Sequence, residues 1–154
     1  MINKFKNKYA FLSNFYESPL YYQGLMFKNA EAAFQAQKES DISKKMAYCH
    51  FSAQDAKNAG RQAQLPYIWE NIKLSIMFDV ILAKFSQNAD LKSMLLETGN
   101  EELVEGNTWG DMFWGKVNGE GENHLGKTLM NVRTVLRIAE LLSEKNAKGY
   151  GYGK

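Results

Sequence analysis

"PYIWENIKLSIMFDVILAKFS" (residues 66–86) decides the fold. Trp69, Ile72, Ile76, Val80 and Phe85 fall near one side of a 3.6-residue helix, and Leu74, Met77 and Ile81 widen the stripe. The spacing predicts a long core helix opening just after Pro66. C-terminal to it, "NADLKSMLLETGN" (88–100) reads as a second helix ending at Gly99. "HLGKTLMNVRTVLRIAELLSEK" (124–145) reads as a long last helix carrying Leu125, Leu129, Val132, Leu136, Ile138 and Ala139. N-terminal to the deciding stretch, Ser52 and Asp55 have capping-box spacing, with Asp in place of the usual Glu or Gln, and predict a short helix ending near Gly60. "NAEAAFQAQK" (29–38) opens another, with Asn29 as N-cap and the Glu31 carboxylate at the positive end of the helix dipole. "SPLYYQGLMF" (18–27) has the alternation and aromatic content of a hairpin, and "EELVEGN" (101–107) could add a strand. The expected architecture is a mainly α, single multihelical domain with a small β element over residues 1–145, followed by a Gly-rich, flexible tail at 146–154.

Composition bounds the function. A chain of 154 residues, 45% hydrophobic and 23% charged, is the size and make-up of one self-folding domain. The net charge of +2 gives no general attraction to a polyanion, so any such ligand must be met locally. A lone cysteine, Cys49, excludes an internal disulfide, and with only His50 and His124 beside it no zinc spacing is present. No signal-peptide pattern or membrane-length apolar run occurs, so the expected location is cytoplasmic, with no membrane partner.

The opening helix carries an unusual stripe. Glu31, Phe34, Gln35 and Lys38 share one face, while Ala32, Ala33 and Ala36 occupy the other, and the pattern alone does not say which face is buried. Three further segments are polar, aromatic and glycine-bearing. In "FLSNFYESP" (11–19), Ser13 and Asn14 lie between Phe11 and Phe15, as a capped turn or as a pocket lining. In "NTWGDMFWG" (107–115), Trp109 and Trp114 flank Asp111, with Gly110 and Gly115 permitting close backbone approach; the rings either pack or stack on a base. In "NGEGENHLGK" (118–127), Gly119, Gly121 and Asn123 precede a helix whose free N–H groups could take a phosphate, although neither GxGxxG nor the Walker pattern is matched.

Taken in order, "FLSNFY", Gly24 with Phe27, "AEAAFQAQK", "AGR" (59–61), "KFSQN", "LLETGNEELVEGN", "DMFWG" and "NHLGKTLMNVR" resemble the NADAR superfamily of YbiA-like N-glycosidases, over residues 5 to about 140. The resemblance implies hydrolysis of a bond between ribose C1 and nitrogen without metal or cofactor. It implies one of two substrates: phosphorylated ribosylamino-pyrimidine intermediates of riboflavin biosynthesis, or ADP-ribose on guanine bases, free or in nucleic acid. It also implies that Lys38 is the nucleophile, forming an imine with the opened ribose, which requires a neutral amine. Glu31 would move protons and Asp111 would hold the ribose, roles that could be exchanged. Ser13, Asn14, Phe15, Trp109, Trp114 and Gly115 would line the base and ribose pocket, and Asn123 with the following helix start would hold phosphate. Arg61 and Arg133 match family positions, as ligands or as structural ion pairs. The loop after "FWG" departs from the family in its glycine spacing and in Lys116, which bears on ligand preference. The competing class is a non-catalytic module that binds ADP-ribose or a nucleotide.

Overall fold

The computed structural model describes residues 1–149. Six helices and one hairpin make up its regular structure: β1 (Glu17–Tyr22), β2 (Leu25–Asn29), α1 (Ala30–Ala36), α2 (Ile42–Ala47), α3 (Ala53–Gln62), α4 (Trp69–Gln87), α5 (Ala89–Glu97) and α6 (His124–Gly149). Short 3-10 turns cover Asn7–Leu12 and Tyr48–His50. The mainly helical single domain with a small β element is therefore the observed architecture.

The hairpin pairs Leu20 with Phe27 and Tyr22 with Leu25 across a two-residue turn in which Gln23 and Gly24 both have positive φ, the geometry that matches strand twist. A register shift between Glu17 and Leu20 bends β1, and Ser18, Leu20, Phe27 and Asn29 face inward. The chain passes directly from β2 into α1, where the Asn29 side chain accepts the Ala32 N–H at 2.8 Å.

Both faces of α1 are buried, which settles what the pattern left open. Ala30, Ala32, Ala33 and Ala36 are fully enclosed, and Phe34, Glu31 and Gln35 nearly so. The small alanines let α3, α4 and the hairpin close around this helix. Against α3 the approach is tighter still: at Gly60 there is no room for a Cβ beside the Gln35 side chain. Ser52 caps α3 as its spacing predicts, accepting the Asp55 N–H at 3.1 Å, and the helix continues to Gln62, two residues past the expected Gly60.

In α4, Trp69, Met77, Val80, Ile81 and Phe85 form the core stripe, with Ile72 and Ile76 partly buried. Leu74 is a correction: it lies off the stripe and is exposed. α5 ends at Glu97, with Gly99 following in a positive-φ turn. In α6, Leu125, Leu129, Val132 and Leu136 are buried, but Ile138 and Ala139 are exposed, since beyond Leu136 the helix meets α5 and its following turn through the polar contacts of Arg137 and Glu140. Of the expected tail, residues 146–149 continue α6, and 150–154 lie outside the described residues. "EELVEGN" does not form a strand. It makes single parallel bridges, Leu103 to Ile2 and Gly106 to Lys116, because each partner segment turns away after one pairing. Among the described residues no helix is long and apolar enough to cross a membrane.

Candidate active site

A cavity of about 520 Å³ opens between α1, α3, the 11–16 loop and the 105–114 segment. Ser13, Asn14, Phe15, Glu31, Trp109, Trp114 and Asp111 all line it, so two of the three polar segments and the opening helix meet there. Each is held by a local device. The 13–15 turn is closed by the Phe15 N–H donating to Ser13 Oγ at 3.1 Å, and it docks on α1 through the Glu31 N–H donating to Asn14 O at 3.0 Å. Beneath it, the fully buried Lys84 ammonium donates to the carbonyls of Phe11 (2.7 Å) and Ser13 (2.9 Å). Asp111 is fixed on two sides. Its Oδ1 accepts the N–H groups of Phe113 and Trp114 at 3.1 and 2.9 Å, and the buried Asn107 amide grips its backbone N–H and carbonyl at 3.0 and 2.9 Å.

Burial dominates the electrostatics of the acid on α1. Burial pushes the Glu31 carboxyl above the usual carboxylate range, opposed by the Gln35 amide donating to Oε2 at 2.7 Å and by the charges of Lys57 and Lys38. Asn14 adds an unpaired acceptor, its buried Oδ1, while its Nδ2 points at Met77 Sδ at 3.4 Å. Among the described residues no three His, Cys, Asp or Glu side chains come close enough together to hold a metal ion.

Lys38 stands beside this cavity rather than in its lining. α1 stops at Ala36, so Lys38 is placed by a closing turn, its N–H donating to Gln35 O at 3.1 Å, and not by helical register. Its Nζ lies 5.8 Å from the centroid of the Trp69 ring, which packs on Phe34, and Phe34 in turn meets Trp114 edge-on. Partial burial lowers the Lys38 pKa; Lys73 and Arg61 lower it further, and Glu31 opposes them.

Gly115 and Asn123 do not line the cavity. Gly115 is buried against the backbone of Glu105, where a side chain would not fit. The Asn123 amide is consumed by the protein, accepting the Glu105 N–H and donating to Leu103 O, both at 2.9 Å. The expected phosphate-binding helix start is likewise occupied. The N–H groups of Asn123, His124 and Leu125 donate to the carbonyls of Gly115, Phe113 and Trp114. These two residues and the start of α6 brace the loop that carries Asp111. Of the two arginines left open as ligands or structural ion pairs, Arg133 bonds Thr98 Oγ1 at 2.8 Å, whereas Arg61 lines the cavity.

Three charged residues of the cavity, Lys6, Lys57 and Glu105, went unread in the sequence. Lys57 lines the cavity with Gln54 and Arg61, three residues before and four residues after on one face of α3, and its Nζ lies 5.8 Å from the Phe15 ring and 5.6 Å from Trp109. That helical spacing was a usable signal. Glu105 lies in an irregular run and carried none. Burial first, then the neighbouring Asp111, raise its carboxyl to about 7.

The cavity is thus acid-lined, with aromatic walls, a cationic rim and a lysine beside it, set in a multihelical domain. The chain belongs to the NADAR domain family, whose pattern it matches over residues 2–137. It is similar to an N-glycosidase of Nostoc punctiforme, 39% identical over 136 residues that cover 84% of this chain and 86% of that one. The N-glycosidase YbiA of Escherichia coli is 36% identical over 134 residues, with 84% and 83% covered. A riboflavin biosynthesis protein of Vibrio vulnificus is 35% identical over 135 residues, which cover 84% of this chain and 36% of that protein. The solution structure of E. coli YbiA superimposes with a TM-score of 0.81 at 30% identity, over 100% of this chain and 94% of the other.

Proposed function

We propose that this chain hydrolyses the bond between ribose C1 and nitrogen in a phosphorylated ribosyl-base compound. The enzyme is a hydrolase of N-glycosidic bonds, as its family relatives are named. The observation that carries the residue roles is the opposed shift of neighbours: a buried Glu31 that retains its proton more readily than a free carboxyl, coupled to a Lys38 that loses its own more readily than a free amine.

In the reaction, the Lys38 amine turns from Trp69 towards Glu31 and attacks C1. The electron pair of the C1–N bond leaves with the base, which takes a proton from a carboxylic acid of the cavity. The ring oxygen then accepts the C1–O pair and a proton, leaving an imine between C1 and Lys38. Water adds to C1 and releases the open sugar and the free amine, with no net oxidation or reduction. Glu105 protonates the leaving base, Glu31 carries the proton shed by Lys38 to the ring oxygen, and Asp111 orients the ribose hydroxyls. Phe15, Trp109 and Trp114 supply ring faces for the base. Lys57 and Arg61, rather than Asn123 and the start of α6, meet the phosphate.

Borohydride added during turnover of an ADP-ribosylated guanine oligonucleotide, or of a phosphorylated ribosylamino-pyrimidine, should leave a sugar adduct on the wild-type protein and none on Lys38→Ala, read by intact mass. Tight binding of either compound without product release would instead make this a binding module.

A further inference from the structure

A second cleft of about 450 Å³ adjoins the active-site cavity and shares Lys6, Gly106 and Trp109 with it. Its walls are fixed by backbone pairing. The N-terminal segment is pinned by Ile2 N–H to Glu102 O and Val104 N–H to Ile2 O, both 2.8 Å. Opposite, Lys116 exchanges backbone bonds of 2.9 Å with Glu105 and Asn107, and Val117 pairs with Glu120 around a turn in which Asn118 and Gly119 have positive φ. This turn lies in the loop after "FWG", "KVNGEGEN" (116–123). It gives the cleft Lys116, Asn118 and Gly119.

The two chambers differ in charge. The inner one balances Glu31, Glu105 and Asp111 against Lys6, Lys57 and Arg61. The outer one is lined by Lys4, Lys6 and Lys116 and by no carboxylate side chain, and the amino group of Met1, also in its lining, is paired with Glu101. Between them stands Trp109, 57% exposed, with an indole large enough to carry a base or nucleoside passing from one chamber to the other. A monophosphorylated ribosyl compound held in the inner chamber alone leaves Lys4 and Lys116 unused.

We infer that the outer cleft, built from Lys4, Lys6, Lys116 and the Trp109 ring, binds a second phosphate-bearing unit of the substrate, a phosphodiester or pyrophosphate attached beyond the reacting ribosyl group. As a substrate subsite this rests on the N-glycosidase reading of the inner cavity. Its affinity for a phosphate chain does not depend on turnover, so binding tests it separately from hydrolysis.

The experiment measures equilibrium binding of a fluorescent single-stranded oligonucleotide, of ADP-ribose and of ribose 5-phosphate to the wild type, to the Lys4→Ala/Lys116→Ala double variant and to Lys116→Glu. The double variant should lose at least about tenfold in affinity for one or both extended ligands while ribose 5-phosphate is unaffected. For the oligonucleotide its salt slope should fall by about 0.7 for each phosphate contact removed. Loss confined to the oligonucleotide assigns the cleft to a strand, and loss confined to ADP-ribose assigns it to a pyrophosphate. Lys116→Glu should show the same pattern more strongly, with the far-UV spectrum of the wild type. No binding of either extended ligand by the wild type, unchanged affinities in the variants, or equal losses for all three ligands would overturn the inference. Shifted binding without hydrolysis of any ribosyl compound would sink the enzymatic reading and leave the cleft standing.

Discussion

Glu105 has a carboxyl that burial and Asp111 hold at about 7, so at neutral pH it is poised to give a proton or take one. If it supplies the leaving base with that proton, kcat/KM should fall as pH rises through about 7, and Glu105→Gln should lose this limb and about a hundredfold in rate, read from a pH profile. Stability moves in the same window. Between the ordinary carboxylate range and about 7 the folded state keeps a proton that the unfolded chain has released, so unfolding free energy should decline as pH rises, and less steeply in Glu105→Gln. Denaturant titrations at several pH values check this. At this scale the sequence was informative where chemistry coincided with a regular pattern. Glu31 stood out because a carboxylate shared a helical face with Phe34. Glu105 did not, because its burial arises from Asn107, Gly115 and the loop folding over it, contacts that no local spacing encodes. Asn123 misled for a related reason: a loop asparagine before a helix reads the same whether its amide faces a ligand or two backbone groups.

Among the elements, α4 carries an unusual burden, a lysine in its apolar stripe. Lys84 is fully buried and, among the described residues, forms no ion pair with a carboxylate; burial lowers its pKa to about 7. Its ammonium ties the 11–16 loop to the helix through the Phe11 and Ser13 carbonyls. Below about 7 both folded and unfolded states hold the proton; from there up to the usual lysine range only the unfolded state does. The Lys84 contribution to stability therefore rises with pH across that interval, and Lys84→Met should remove that slope. The same variant takes the Lys84 donor from the buried Phe11 carbonyl, at about 1–3 kcal/mol, leaves the Ser13 carbonyl with the Tyr16 N–H alone, and loosens the turn bearing Ser13 to Phe15. KM should rise, and steady-state kinetics beside denaturation curves separate the two effects. The helices themselves were legible, since caps at Asn29 and Ser52 and the 66–86 stripe all lie in local sequence. Two limits were not: α1 stopping at Ala36 short of Lys38, and α6 beginning with donors already taken, both depend on what packs alongside.

For the molecule as a whole, one core is wrapped around α1, and α6 leaves it after Leu136. Leu129→Ala should cost about 2–5 kcal/mol, because a fully enclosed side chain leaves a cavity, whereas Leu141→Ser and Leu142→Ser should each change stability by less than about 0.5 kcal/mol. Thermal melts compare them directly. The alternating apolar pattern of α6 gave its length but not where cover ends, since that depends on how far the other helices reach. The gap between α1 and α3 has a longer reach than its size suggests. At position 60 only a hydrogen separates the α3 backbone from the Gln35 amide, and that amide is the group bonded to the Glu31 carboxyl. A methyl at 60 would act as a wedge with its tip on a neighbouring helix, turning the amide away and taking from the acid the side-chain hydrogen bond that Gln35 gives it. Gly60→Ala should therefore weaken turnover by disarming a proton store that the substituted residue never touches.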